Sequence, residues 1–225
     1  MACWEGAGAV MPAVQGGSRV EMAPRLVPLL AEFDFARRRL LDRLAGPDGD
    51  SGTGRRIPIP PITEEEYLWE PVPRCWSVRP RAQGPGPGAT VLLGTGDWGL
   101  DSAFPAPPSP PPFTTIAWRL GHLSGLLAVR ADHTIGSHTL TRDTYVFRGD
   151  VAGALAAFEA GAAAWREALV SCDDAALDTV GRSTYPHGSD AEDPFIDVAW
   201  WVNQELLHHG AEIALLRDLY REMHS

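Results

Sequence analysis

Apolar residues recur at helical spacing in four separate stretches, and this pattern restricts the fold more than any other feature of the chain. Leu26, Leu30, Phe33, Leu40 and Leu44 fall three, four or seven apart behind Pro24, which predicts a first helix over 26–44. Thr114 or Thr115 caps a second, running to about Ala131 with Ile116, Leu120, Leu123 and Leu127 on one side. Asp150 caps a third from Val151 to about Ser171, striped by Leu155, Phe158, Ala162, Trp165 and Leu169. Asp193-Pro194 opens the last, Phe195 to Tyr220, because proline suits a first helical turn. Each stripe needs another element to cover it. Four of them predict an all-α fold, a four-helix bundle with long Pro/Gly-rich loops.

The connections read as loops. Gly46 to Gly52 ends the first helix, and the chain stays irregular to Pro61. Thr63 with Glu66 forms a capping box that starts a short turn reaching Leu68 or Trp69. Glu70 to Pro112 is dominated by proline and glycine and shows no strand pattern. Its indoles, Trp76 and Trp98, together with Trp69 just before it, are expected to tether the loop to the helices; the alternative is that they wall a pocket mouth. Residues 132–149, with His133 and His138, read as a connection in which Thr144 to Phe147 is a short extended piece. Thr184 to Pro194 is a second loop, with Tyr185 and His187 expected at the surface; the alternative is that they sit over a pocket. Residues 1–23 are expected to be a flexible extension in which Met11 or Met22 is an alternative start, and 24–225 the folded domain.

Charge and composition exclude several roles. The net charge of −10 disfavours a nucleic-acid partner, which requires a clustered basic surface, and the run Arg37-Arg38-Arg39 is too short to reverse it. No run approaches the ~18 apolar residues of a membrane span, and the N-terminal stretch lacks the basic start and apolar core of a signal peptide. Cys3, Cys75 and Cys172 are scattered without CxxC spacing, so a zinc ribbon or disulfide framework is not indicated and a reduced, cytoplasmic protein is expected. An Ala/Leu-rich helix leaves a homodimer open.

Two rival pairs on the last helix carry the chemistry. Residues four apart share a helix face, so Glu205 and His209 can aim a carboxylate oxygen and an imidazole nitrogen at one point. His208 and Glu212 form the competing pair, turned about 100° away. His122 sits in the middle of the second helix among apolar residues, where a lone histidine is either a core residue with one hydrogen bond or a ligand. Spacing alone leaves both questions open.

Three phrases then resemble a family: Leu68-Trp69-Glu70-Pro71 with Cys75-Trp76-Ser77-Val78-Arg79, Trp118-Arg119-Leu120-Gly121-His122-Leu123, and Val202 to Ile213, which reads VNQELLHHGAEI. Over about residues 24–221 the chain resembles the DinB-like (damage-inducible) four-helix-bundle superfamily, which includes the metal-binding domain of mycothiol-dependent maleylpyruvate isomerase and other thiol S-transferases. The resemblance implies a divalent metal, zinc with nickel or iron as alternatives, held by His122, Glu205 and His209. Glu205 departs from the commoner three-histidine pattern. His208 and Glu212 would then stand behind the ligands and orient a metal-bound imidazole. The chain contains no lysine and is rich in Ala, Gly and Pro, which points to a GC-rich bacterial genome, of the actinobacterial kind in which mycothiol is the thiol.

The implied activity is that of a metal-dependent S-transferase, in which a thiolate on the metal attacks a small electrophile. Two alternatives stand beside it: an isomerase or hydrolase using a water nucleophile on the same metal, and a non-catalytic metal- or ligand-binding stress-response bundle with His122 as a core residue.

Overall fold

Helix α1 forms where its stripe predicts. In the computed structural model, which describes residues 22–46, 59–185 and 192–225, it spans Leu26–Ala45 and buries Leu26, Leu30, Phe33, Leu40 and Leu44. Fully burying each of these side chains stabilises the fold by about 1.5–3 kcal/mol. The expected extension over 1–23 lies almost wholly outside the described residues, as do most of the loop to Pro61 and His187.

Helix starts follow capping chemistry. The Thr63 hydroxyl accepts from Glu66 N (3.2 Å) to begin α2, Glu64–Leu68. The second half of the expected capping box does not form in that way: the Glu66 carboxylate pairs with Arg217 instead. Thr115, not Thr114, caps α3, Ile116–Ile135, by accepting from Trp118 N (3.1 Å). Asp150 caps α4, Val151–Val170, by accepting from Gly153 N (2.7 Å). A four-residue helix, α5 (Asp174–Leu177), precedes α6, Phe195–Met223, which follows Pro194 as expected.

The four long helices pack in a closed order, α3 on α4, α4 on α1, α1 on α6 and α6 on α3. The α3–α4 contact is close because Gly161 replaces a side chain: a Cβ there would meet the Ser124 carbonyl oxygen at 3.0 Å. Among the described residues no helix is long and apolar enough to cross a membrane.

The stretch expected to be loop without strands requires correction. It folds into a three-stranded antiparallel sheet in the order β1-β3-β2, with β1 at Val78–Pro80, β2 at Val91–Leu93 and β3 at Trp98–Ser102. The register pairs Val78 with Leu100 and Val91 with Ser102. Strands of three to five residues are too short for alternation to be read beneath so many glycines and prolines. What holds them is polar. Asp101, fully buried, accepts from Ser77 N (2.9 Å), Arg79 Nε (2.7 Å) and Gly86 N (2.7 Å). The Arg81 guanidinium donates to the carbonyls of Leu92, Gly94 and Gly96. The buried side of the sheet, Val78 and Leu100, lies over Gly121 of α3, where an added Cβ would touch both. The all-α four-helix bundle therefore becomes a mostly helical fold with a small antiparallel sheet against α3. Thr144 to Phe147 forms no strand; Tyr145 O accepts from Thr95 N (2.9 Å), and Phe147 is buried.

Candidate metal centre

Two helices supply the centre, and their phases are set locally. The Thr115 cap, tied to Ser77 Oγ at 3.0 Å, fixes where α3 begins and so which side of it carries Trp118, Arg119 and His122. Trp118 is anchored by its indole N–H, which donates to Asp101 O (2.8 Å), and its ring lies parallel to that of His122 at 5.2 Å. On α6, Glu205, His209 and Glu212 are four and three residues apart and form one stripe.

The stripe and His122 meet. Glu205 Oε2 lies 3.0 Å from His122 Nε2 and 3.4 Å from His209 Nε2, and the three potential ligand atoms all fall within 4.8 Å of one another. The histidine rings stand nearly perpendicular, with centroids 4.9 Å apart. The side chains of His122, Glu205 and His209 are 18, 23 and 15% exposed, so the cluster is sheltered but reachable.

Hydrogen bonding assigns the protons. His209 Nδ1 is 2.7 Å from Glu212 Oε2, a distance that an ionised carboxylate allows only if Nδ1 carries the hydrogen. Glu212 Oε2 also pairs with Arg119 Nη1. In neutral His209 the lone pair then sits on Nε2 and faces a carboxylate oxygen 3.4 Å away. A cation between them, either a proton on Nε2 or a metal ion, satisfies both. Two imidazoles and a carboxylate suit zinc, nickel or iron(II), and Glu212 on the far nitrogen is the customary carboxylate–histidine support. The cluster could therefore hold a divalent ion.

Charge in the cluster follows from its contacts. Hydrogen bonds from His122 and then His209 hold the Glu205 carboxyl well below the usual carboxylate range, outweighing its partial burial. Burial lowers His122, partly offset by the hydrogen bond to Glu205. Both shifts leave Glu205 ionised and His122 uncharged near neutrality, the charge state in which each can bind metal.

A cleft of about 600 Å³ opens beside the cluster, and His209 and Glu212 line it. Its apolar wall includes Trp76, Trp118, Phe104 and prolines 107, 111 and 112. Among the described residues, the three indoles outside the long helices thus divide. Trp98 packs on the core and Trp69 against Tyr220 at 5.3 Å, as tethers, whereas Trp76 lines the cleft. Tyr185, expected at the surface, is buried and lines the cleft too.

His208 is 71% exposed; it lies 3.5 Å from Glu212 Oε1 and its ring stacks on that of His209 with centroids 5.4 Å apart. Arg119 was not singled out from sequence. Its signal was position: it lies three residues before His122, on the same side of α3.

A profile of the DinB superfamily matches residues 32–213, which include every residue of the cluster. The chain belongs to the DinB superfamily. Comparisons with curated proteins and with solved structures give no match.

Proposed function

We propose that the protein is a metal-dependent thiol S-transferase of the mycothiol type, acting on a small electrophile. The observation that carries this reading is the convergence of His122 Nε2, Glu205 Oε2 and His209 Nε2 beside a largely apolar cleft. A divalent cation held there supplies Lewis acidity, which makes a thiol or water it carries more acidic.

The protein's own groups set the stage for that chemistry. Glu212 keeps the proton on His209 Nδ1 and so presents Nε2 as a ligand, while Arg119 holds Glu212 in place. Trp118 fixes the plane of His122 by stacking. The cleft's indoles and prolines exclude water from one side of the site. Neither described cysteine can serve as the nucleophile. Cys172 is buried, and Cys75 is buried with its thiol pushed up by burial and donating to Val72 O (3.0 Å). A thiol co-substrate is the source consistent with that arrangement.

Metal analysis of the purified protein, with Glu205→Ala and His209→Ala beside it, is the first test, followed by thiol consumption with a generic electrophile. Stoichiometric metal in the wild type and its loss in both variants is expected. Metal retained in both variants removes the site. Metal-loaded protein that consumes no thiol removes the S-transferase reading and leaves a water-nucleophile enzyme or a non-catalytic metal-binding protein.

A further inference from the structure

The metal cluster and the small sheet meet in one side chain. Trp118 stands one turn before His122 on α3. Its backbone N–H donates to Thr115 Oγ1 (3.1 Å), and that hydroxyl lies 3.0 Å from Ser77 Oγ, next to β1. Its indole N–H donates to Asp101 O on β3 (2.8 Å). On the cluster side the same ring lies parallel to His122, with centroids 5.2 Å apart, and edge-on to His209 at 6.4 Å. Trp118 thus touches both imidazoles while it is bonded to the sheet.

The bond to the sheet is made at its most constrained residue. The Asp101 carboxylate gathers Ser77 N, Arg79 Nε and Gly86 N, and the Asp101 N–H donates to Ser77 O (3.0 Å). Opening the sheet at Asp101 therefore withdraws the acceptor from the Trp118 indole, which is costly for a sheltered N–H. The sheet also packs beside the ligand itself: Val78 and Leu100 lie over Gly121, the residue before His122.

Coupling of this kind runs both ways. A closed sheet holds the ring that orients His122, so an ion that fixes His122 and His209 must in return steady Trp118 and the strands behind it. The strands and the chain after them supply one wall of the cleft, with Leu93, Ser102, Ala103 and Phe104.

We propose that Trp118 is a positioning residue that couples occupancy of the His122–Glu205–His209 centre to closure of the sheet, so that a bound divalent ion steadies the cleft wall together with its own ligands. This rests on the metal centre and not on the reaction carried out there.

Calorimetric titration of the full chain with zinc, followed by amide hydrogen exchange with and without zinc, tests the coupling. In the wild type zinc should raise the protection of amides across the sheet, residues 78–102, roughly tenfold. In Trp118→Leu that rise should vanish from the sheet and persist on α6 around Glu205 and His209, and zinc affinity should fall about tenfold. Trp118→Phe keeps a ring against His122 and loses the bond to Asp101, so it should lose most of the rise with a smaller loss of affinity; it carries the same comparison where Trp118→Leu fails to fold. Arg79→Gln separates coupling from stability. Arg79 donates to Asp101, Glu70 and Cys75 O, none of them in the cluster. Its loss should lower sheet protection with and without zinc alike and keep the zinc-dependent difference. A full zinc response of the sheet in either Trp118 variant, or loss of that response in Arg79→Gln, overturns the proposal. Zinc bound by the wild type with no response of the sheet defeats the coupling alone, whereas a wild type that binds no zinc defeats the metal centre and the coupling with it.

Discussion

Two of the places where helix α6 meets charged partners are built differently. Near its end Arg217, with no exposed side-chain surface, donates from Nε to Glu66 Oε1 (2.7 Å) and from Nη2 to Glu66 Oε2 (3.0 Å) and Pro60 O (2.9 Å). Nε and Nη2 thus face acceptors within the protein, while Nη1 is buried without a partner. Earlier on the same helix Glu205 and His209 turn acceptors toward each other beside a cleft, with His122 completing the group from α3. The first arrangement joins α6 to α2 and the chain before it. The second could hold a metal ion between its ligand atoms. A buried polar group whose partners are all within the protein serves the fold; one whose lone pairs converge on a reachable point serves a ligand.

The largest expected effect tests the buried pair. Arg217→Met leaves Glu66 buried with no counter-charge and should cost about 3–5 kcal/mol in urea unfolding. Glu205→Gln, at a partly exposed site, should cost under about 1 kcal/mol in the same measurement. Equal losses would erase the distinction between the two clusters.

Metal binding should show the reverse ranking. His209→Ala is expected to lower affinity by more than about 100-fold in calorimetric titration with zinc, whereas Arg217→Met, if it folds, leaves affinity unchanged. Glu212→Gln should fall between, losing about 10- to 100-fold, because the ligand stays while its orientation and basicity are weakened. Wild-type affinity in Glu212→Gln would show that the His209 tautomer is set by something else.

Acidification should give the smallest effect. Glu205 titrates lower in the folded protein than in the unfolded chain, so its contribution is present above the unfolded carboxylate pKa and fades as pH falls through that value and below. His122 is also lowered, so below the ordinary imidazole pKa the unfolded chain takes a proton that the folded protein refuses. Both signs agree: metal-free protein should lose stability as pH drops from neutral toward 4. Below the ordinary carboxylate pKa, urea midpoints should fall less steeply with pH in Glu205→Gln than in the wild type.

Sequence alone determined the parts of this protein that depend on neighbours along the chain. Helix stripes such as Leu26 to Leu44, caps at Thr63 and Asp150, and the i, i+4 relation of Glu205 to His209 are set by the 3.6-residue period and by the reach of one side chain. Family resemblance added His122 to that pair. Tertiary structure decided what depends on distant residues. The sheet between Val78 and Ser102 was hidden because its strands are short and its register rests on Asp101, whose partners are spread from Ser77 to Gly86. Glu66 reads as half of a capping box and becomes the counter-ion of Arg217, because a buried guanidinium far along the chain claims its carboxylate. Glu212 and Arg119 enter the site for the same reason: only when α3 and α6 pack does a charge on one helix settle which nitrogen of a histidine on the other is left to bind.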